Sequence, residues 1–206
     1  MLALASGRLA EGEALMNQRY ELGKQTLLEA STAIFRCQRH LLHDLRGDLA
    51  AIEPEVSELA EWFPARPVFR CVLAHVHARI GRLGDAQRAL DELTHDRVAA
   101  LPFDQEWLYG MSLLAETAAL LDDAEAAATL YPVLLPWAGL NAVDVAEGCR
   151  GAVSRYLGLL AATLGRRKDA AEHFEHAIGM NERMGFVPWA TRAREDYELR
   201  LGAAPA

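Results

Sequence analysis

Leu157-Gly158-Leu159-Leu160-Ala161-Ala162-Thr163-Leu164-Gly165-Arg166-Arg167-Lys168-Asp169-Ala170-Ala171-Glu172-His173-Phe174-Glu175-His176-Ala177 reads as two helices joined by a tight turn. Leu157, Gly158, Ala161 and Leu164 recur at helical spacing and form one apolar stripe. Gly165 then ends the helix, because a residue without a Cβ takes the left-handed cap position freely. Ala170, Phe174 and Ala177 continue at helical spacing on the second helix. Small Gly158 and Ala170 let the two helices approach closely, and Phe174 fills the space beside them.

The same turn-then-helix pattern recurs along the chain. It occurs at Gly7-Arg8-Leu9-Ala10-Glu11, Gly47-Asp48-Leu49-Ala50-Ala51, Gly81-Arg82-Leu83-Gly84-Asp85-Ala86, Leu121-Asp122-Asp123-Ala124-Glu125-Ala126 and Gly165-Arg166-Arg167-Lys168-Asp169-Ala170. Counted from 7, 47, 81, 121 and 165, the spacings are 40, 34, 40 and 44, about the length of a two-helix unit. The positions Leu157-Gly158, Ala170, Phe174 and Ala177 resemble the tetratricopeptide signature, and 34 is its period. Leu73, Ala74, Ala86, Leu90 and Leu93 match it in the third unit. The repeat is worn: Leu121 stands where glycine is expected, Gly12 and Ile52 where alanine is expected. The resemblance implies an all-α fold, a right-handed superhelix of about five degenerate helix pairs plus a C-terminal capping helix.

Helices are expected near 8–23, 26–46, 48–62, 67–80, 83–96, 104–120, 123–135, 144–164, 167–184 and 188–201. They group into units 1–23, 26–62, 67–96, 104–136 and 144–185 of a single domain, with 188–201 as the cap. Pro64, Pro67 and Pro102 separate units, Pro132 and Pro136 end the fourth, and Pro188 opens the last helix at its first turn. Pro54 calls for a kink or a late helix start. No segment alternates with period two for long, so no sheet is expected. The chain opens inside what reads as the first helix of a pair, which suggests descent from something longer.

About half of the 206 residues are apolar and a quarter charged, the balance of a folded protein. The net charge is −8 and no long Lys/Arg tract occurs, which argues against direct nucleic-acid binding and against docking on an anionic membrane. The cluster Arg166-Arg167-Lys168 reads as a solvated turn. Cys37, Cys71 and Cys149 are too far apart for a CxxC pair and read as buried small apolar residues in a reducing cytoplasm. The longest uncharged apolar run, Leu130 to Leu140, is too short to cross a bilayer and carries two prolines. A soluble, cytoplasmic protein is expected.

A second resemblance covers nearly the whole chain and is most specific over 145–200. Its elements are Gly151 to Ala161, Leu164-Gly165-Arg166, Ala171-Glu172-His173-Phe174-Glu175, Ala177 to Gly185, Pro188-Trp189-Ala190 and Arg192 to Tyr197. Leu114-Ala115-Glu116, Leu130-Tyr131 and Leu135-Pro136 add to it. This pattern is similar to the C-terminal helical-repeat region of large actinobacterial-type signalling proteins. Those carry a signal-transduction ATPase module, often with a nucleotide-cyclase or LuxR-like DNA-binding domain. The resemblance implies a sensor or regulatory scaffold. The catalytic motifs of such proteins are not in this stretch: Gly23-Lys24-Gln25-Thr26 suggests a phosphate loop, but Gln18 stands at its first glycine position and no strand precedes it. No C-terminal helix-turn-helix is expected after residue 202.

Candidate chemistry is sparse. His40 and His43, like His173 and His176, are three apart on a helix, a spacing that suits a metal only if a third ligand converges; they read as surface histidines. His75 and His77 face different directions. Asp122-Asp123 and Glu195-Asp196 lack a desolvated cleft, and Ser112 and Ser154 lack a neighbouring histidine in sequence. No catalytic residue, metal ligand or cofactor is therefore assigned. In a superhelical stack the first helix of each pair lines the concave face, where peptides bind. That register puts His75, Arg79, Trp107, Arg155 and Arg192 forward as exposed partner-contact residues. The expected function is a non-catalytic protein-interaction scaffold. Its partner is a protein or peptide, with an ATPase or cyclase module in the same or another chain as one candidate. A second copy docking through the N-terminal repeat is another. The rival readings are a small-molecule-sensing regulatory domain, marked by a deep pocket with convergent polar groups, and, behind it, an enzyme.

Overall fold

A computed structural model describes residues 1–98, 101–146 and 148–202. Eleven α-helices are present among them: α1 (Leu2–Ala5), α2 (Leu9–Gly23), α3 (Leu28–Arg46), α4 (Glu53–Trp62), α5 (Pro67–Arg79), α6 (Leu83–Val98), α7 (Trp107–Leu120), α8 (Ala124–Leu134), α9 (Val153–Thr163), α10 (Arg167–Arg183) and α11 (Val187–Leu201). Among the described residues the fold is all-α apart from one two-stranded hairpin. No helix of the described residues is long and apolar enough to cross a membrane.

One turn geometry builds the stack. At Gly7, Gly47, Gly81, Gly165 and Gly185 the chain turns left-handed after a helix, with φ between +70 and +84. Each of these turns closes with paired backbone bonds, as where Gly165 N–H donates to Ala162 and Arg166 N–H to Ala161. The fourth unit makes the same turn at Asp122, φ +54, whose N–H donates to Ala119 while Asp123 donates to Ala118. The structural anchor is therefore Asp122, one residue after the Leu121 that sequence alignment placed there. A short polar side chain tolerates the left-handed region better than leucine does. With that shift Ala127 falls in register with Ala86 and Ala170, and all three are fully buried.

Helices pack on the next in order: α5 against α6 and α7, α7 against α8 and α9, α9 against α10 and α11. α7 is buried on nearly every side, as its almost uninterrupted apolar sequence requires. At Pro54 a 3-10 turn over Leu49–Ile52 precedes α4, so the helix starts late with proline in its first turn. Pro188 sits likewise in the first turn of α11. Pro132 lies inside α8 instead of ending it, and a 3-10 turn over Leu135–Trp137 follows.

Two expectations are corrected between 139 and 153. The helix expected from 144 starts at Val153, and the expectation of no sheet fails, because β1 (Asn141–Asp144) and β2 (Gly148–Ala152) form an antiparallel hairpin. Gly148 and Gly151 take φ values of +156 and +73, which an α-helix does not allow. Glu147, within the expected helix, and the tail after 202, where no helix-turn-helix was expected, lie outside the described residues.

The hairpin is the hub of the molecule. β2 packs against α1, α3, α7, α9, α10 and α11. Leu4, Met16, Leu41, Leu42, Cys149, Phe186 and Trp189 form one apolar cluster, so the first and last helices share a core around β2.

Candidate functional site

Glu116 in α7 and Arg155 in α9 are each the lone charge in an apolar helix, and Asp44 of the more polar α3 is buried with them. A charge carried into a core must be paired there. These converge with Arg150 of β2, Arg192 and Asp196 of α11, and His40, His75 and Arg79 into one polar network.

Arg150 is its centre. Its guanidinium is fully buried and donates to Ser112 Oγ (3.1 Å), to Asp44 Oδ2 (3.3 Å) and to Glu116 Oε2. Tyr109, Tyr156 and Trp189 surround it with ring centroids at 6.0, 5.8 and 5.7 Å. Tyr156 donates its hydroxyl proton to the Arg150 carbonyl at 2.6 Å, which fixes the strand. Arg155 grips Glu116 with two nitrogens, at 3.2 and 3.0 Å, and turns its Nε to Asp196 at 2.7 Å. Arg192 reaches across from α11 to Asp44, donating to Oδ2 at 2.7 Å and to the backbone carbonyl.

His40 and His75 complete the network. His40 Nε2 lies 3.1 Å from His75 Nδ1, and both rings are fully buried. His75 Nε2 faces Glu116 Oε2 at 3.6 Å. A proton on that nitrogen faces the carboxylate favourably, which leaves His75 Nδ1 as acceptor and His40 Nε2 as donor. Burial, then the neighbouring His75, holds the His40 imidazole well below its ordinary 6.5. Burial also lowers His75, with Glu116 opposing it. For Asp44 burial acts upward, but Arg192, His75 and Arg150 outweigh it and hold the carboxyl far below the carboxylate range. Glu116 behaves alike: burial raises it, and Arg155, His75 and Arg150 bring it well below its usual value. Two ionised carboxylates and two neutral imidazoles are the resting state.

Four of the five residues put forward from sequence meet here, but not as an exposed groove. His75 is fully buried and Arg155 is 3% exposed. Arg192 is bound to Asp44, and Arg79 keeps about a third of its side chain in solvent. The inner face supplied by α3, α5, α7, α9 and α11 is engaged with itself and with β2. Repeat register groups these four residues but carries no sign of the hairpin that covers them. Trp107 lies elsewhere, 8% exposed, edge-on to Phe103 (5.1 Å) and Trp137 (5.9 Å).

Other expectations also change. His40 is a core residue, not a surface one, and His77 meets Glu53 at 3.2 Å. Ser154 does have a histidine neighbour: its Oγ lies 2.7 Å from His176 Nδ1 and donates at 2.7 Å to the Ala138 carbonyl. With its one proton committed to that carbonyl and the residue fully buried, Ser154 is not set up as a nucleophile. All three cysteines are buried, and burial pushes the Cys71 thiol up to about 12. No cluster of three metal-ligating side chains occurs among the described residues. Arg150, Ser112 and Asp196 were not put forward from sequence. Glu116 and Arg155 carried a readable signal, a lone charge in an apolar run; Arg150 did not, since its burial depends on the hairpin.

Beside the network lies a cavity of about 110 Å³ lined by Arg79, Arg155, Arg200, Glu116, Asp196 and leucines. A shallower one of about 350 Å³ adjoins it, sharing Arg79 and Leu120. No family model matches the chain, and neither a curated protein nor a solved structure does.

Proposed function

We propose that the chain is a non-catalytic protein-interaction scaffold, tetratricopeptide-like, serving as the regulatory repeat region of a bacterial signalling ATPase or cyclase-type regulator. The observation that carries the reading is the aromatic patch at one end of the α7–α8 pair. Phe103 is 72% exposed and packs on Trp107 and Trp137, with Leu135 exposed beside them. Phe103 is the exposed ring of the three, backed by the half-buried Trp137 and the buried Trp107, and an exposed aromatic seated on tryptophans is the kind of anchor that protein-contact surfaces use. Arg155 and Arg192 are committed to internal carboxylates, which favours this patch as the contact surface.

Native size in source cells, read by immunodetection after gel filtration, tests the reading. It expects a polypeptide well above 22.7 kDa, or a chain of that size co-eluting with an ATPase or cyclase polypeptide. A 22.7 kDa species that always elutes alone sinks it. The second reading, a ligand-sensing regulatory domain, is favoured by one observation: polar groups of α5, α7, α9 and α11 converge on the cavity beside the ionic network.

A further inference from the structure

Arg79 and Arg200 are the two guanidiniums of this region without a hydrogen-bonded carboxylate among the described residues. Arg79 Nε lies 3.8 Å from Asp44 Oδ1, and Arg200 Nη1 lies 3.9 Å from Asp122, which is itself largely in solvent. Arg200 Nη2 donates to the Ala119 carbonyl, a bond that positions the side chain but leaves its charge unmatched. Both side chains are mostly covered, with relative exposures of 33% and 24%. Both line the same cavity of about 110 Å³. Arg155 lines it too, and the two carboxylates there, Glu116 and Asp196, are already bound by Arg155. Three guanidiniums against two engaged carboxylates leave one positive charge in excess, directed at an open volume.

We propose that this cavity binds a small monocarboxylate with a short apolar tail, its carboxylate held between Arg79 and Arg200. A guanidinium binds a carboxylate through paired, charge-assisted bonds, and partial exclusion of water strengthens them. One excess charge suits a monoanion. A phosphate dianion would bring its second charge against Glu116 and Asp196, so it binds less tightly. The volume holds a few heavy atoms beside the head group, judged against roughly 30 Å³ for one water in the liquid. Leu120, Leu159 and Leu199 at the cavity, with Leu49, Ala50 and Ile80 in the adjoining one, receive the tail. The site joins α5 to α11, so an occupant ties together two elements distant in sequence. The proposal rests on the ligand-sensing reading only for its use in the cell: binding to the isolated chain tests the site, and partner capture tests the reading.

The experiment is a titration of the whole chain with butyrate, against chloride and inorganic phosphate at matched ionic strength, followed by thermal unfolding and by the arginine side-chain Nε–Hε resonances. Butyrate is expected to raise Tm saturably and to shift the Arg79 and Arg200 resonances. Arg79→Gln and Arg200→Gln are each expected to weaken binding at least about tenfold, the loss of one charge-assisted bond pair. Arg88→Gln, on the exposed surface of α6, leaves it unchanged. No saturable effect beyond chloride overturns the site, as does binding that survives both glutamine variants. Tighter binding of phosphate than of butyrate overturns the ligand class. The resonance shifts are read on unmutated protein, so a variant that fails to fold does not remove the test.

Discussion

Arg150 holds two carboxylates, a serine hydroxyl and three aromatic faces with one side chain, and no other residue type has the donors to do so. Replacing it leaves Asp44 and Glu116 in the core short of a partner. Arg150→Met is expected to cost about 3–5 kcal/mol in chemical denaturation, and Arg150→Lys to recover little of it, because an ammonium lacks the planar fork. The histidines give a pH signature with a definite sign. Both are lowered from 6.5 in the folded state, so between the folded and unfolded values the unfolded chain binds more protons. Their contribution is present above 6.5 and is lost as pH falls below it. A second loss follows below about 4, as the lowered Asp44 and Glu116 are protonated on unfolding. Urea midpoints measured from pH 8 to pH 4 should decline below 6.5 in the native chain. In His40→Gln/His75→Gln the decline should shrink to the part set by His173, whose half-buried imidazole is lowered by burial as well; an equal decline in both proteins would show that other groups set the acid sensitivity.

Glycines at the scale of the helix pair and the hairpin make opposite predictions according to what surrounds them. A Cβ at Gly158 would sit 2.7 Å from the Phe174 ring, so the close approach of α9 and α10 needs a hydrogen there. Gly158→Ala is expected to cost about 1–3 kcal/mol through overpacking. At Gly151 the backbone is left-handed and a Cβ would meet Trp189 at 2.7 Å, so strain and clash add. Gly151→Ala should cost about 2–4 kcal/mol and loosen β2 from α11. Gly84, on the solvent-facing side of α6, has only the Arg88 guanidinium within 4 Å, at 3.8 Å. There alanine should stabilise by about 0.5 kcal/mol by restricting the unfolded chain. Parallel denaturation of the three variants checks both the sizes and the change of sign.

Closure between the chain's two ends is a property of the whole molecule. A simple array of repeats couples only neighbours, so its ends unravel independently. Here Asp44 of α3 is bound by Arg192 of α11, and Leu4, Leu41, Phe186 and Trp189 share one cluster around β2. Arg192→Met should therefore raise amide exchange in α3, β2 and α11 together and leave α6 and α8 protected. Exchange confined to α11 would mean that the ends are not coupled. The helices, their turns and the Gly158–Phe174 packing were legible in the sequence because each rests on residues a few positions apart, where spacing alone sets geometry. Even the misplaced anchor at Leu121 was off by a single residue. The hairpin was less legible: Gly148 and Gly151 signal a break, but nothing local says that the break is a strand. The face carrying His75, Arg79, Arg155 and Arg192 could be read from repeat register, and the lone charges Glu116 and Arg155 hint at burial. By itself the sequence determined most of the helices and the turns between them. Tertiary structure alone decided that this face is closed, because Asp44, Arg150 and Arg192 meet only when segments over a hundred residues apart are brought together. Local periodicity carries no information about such a meeting.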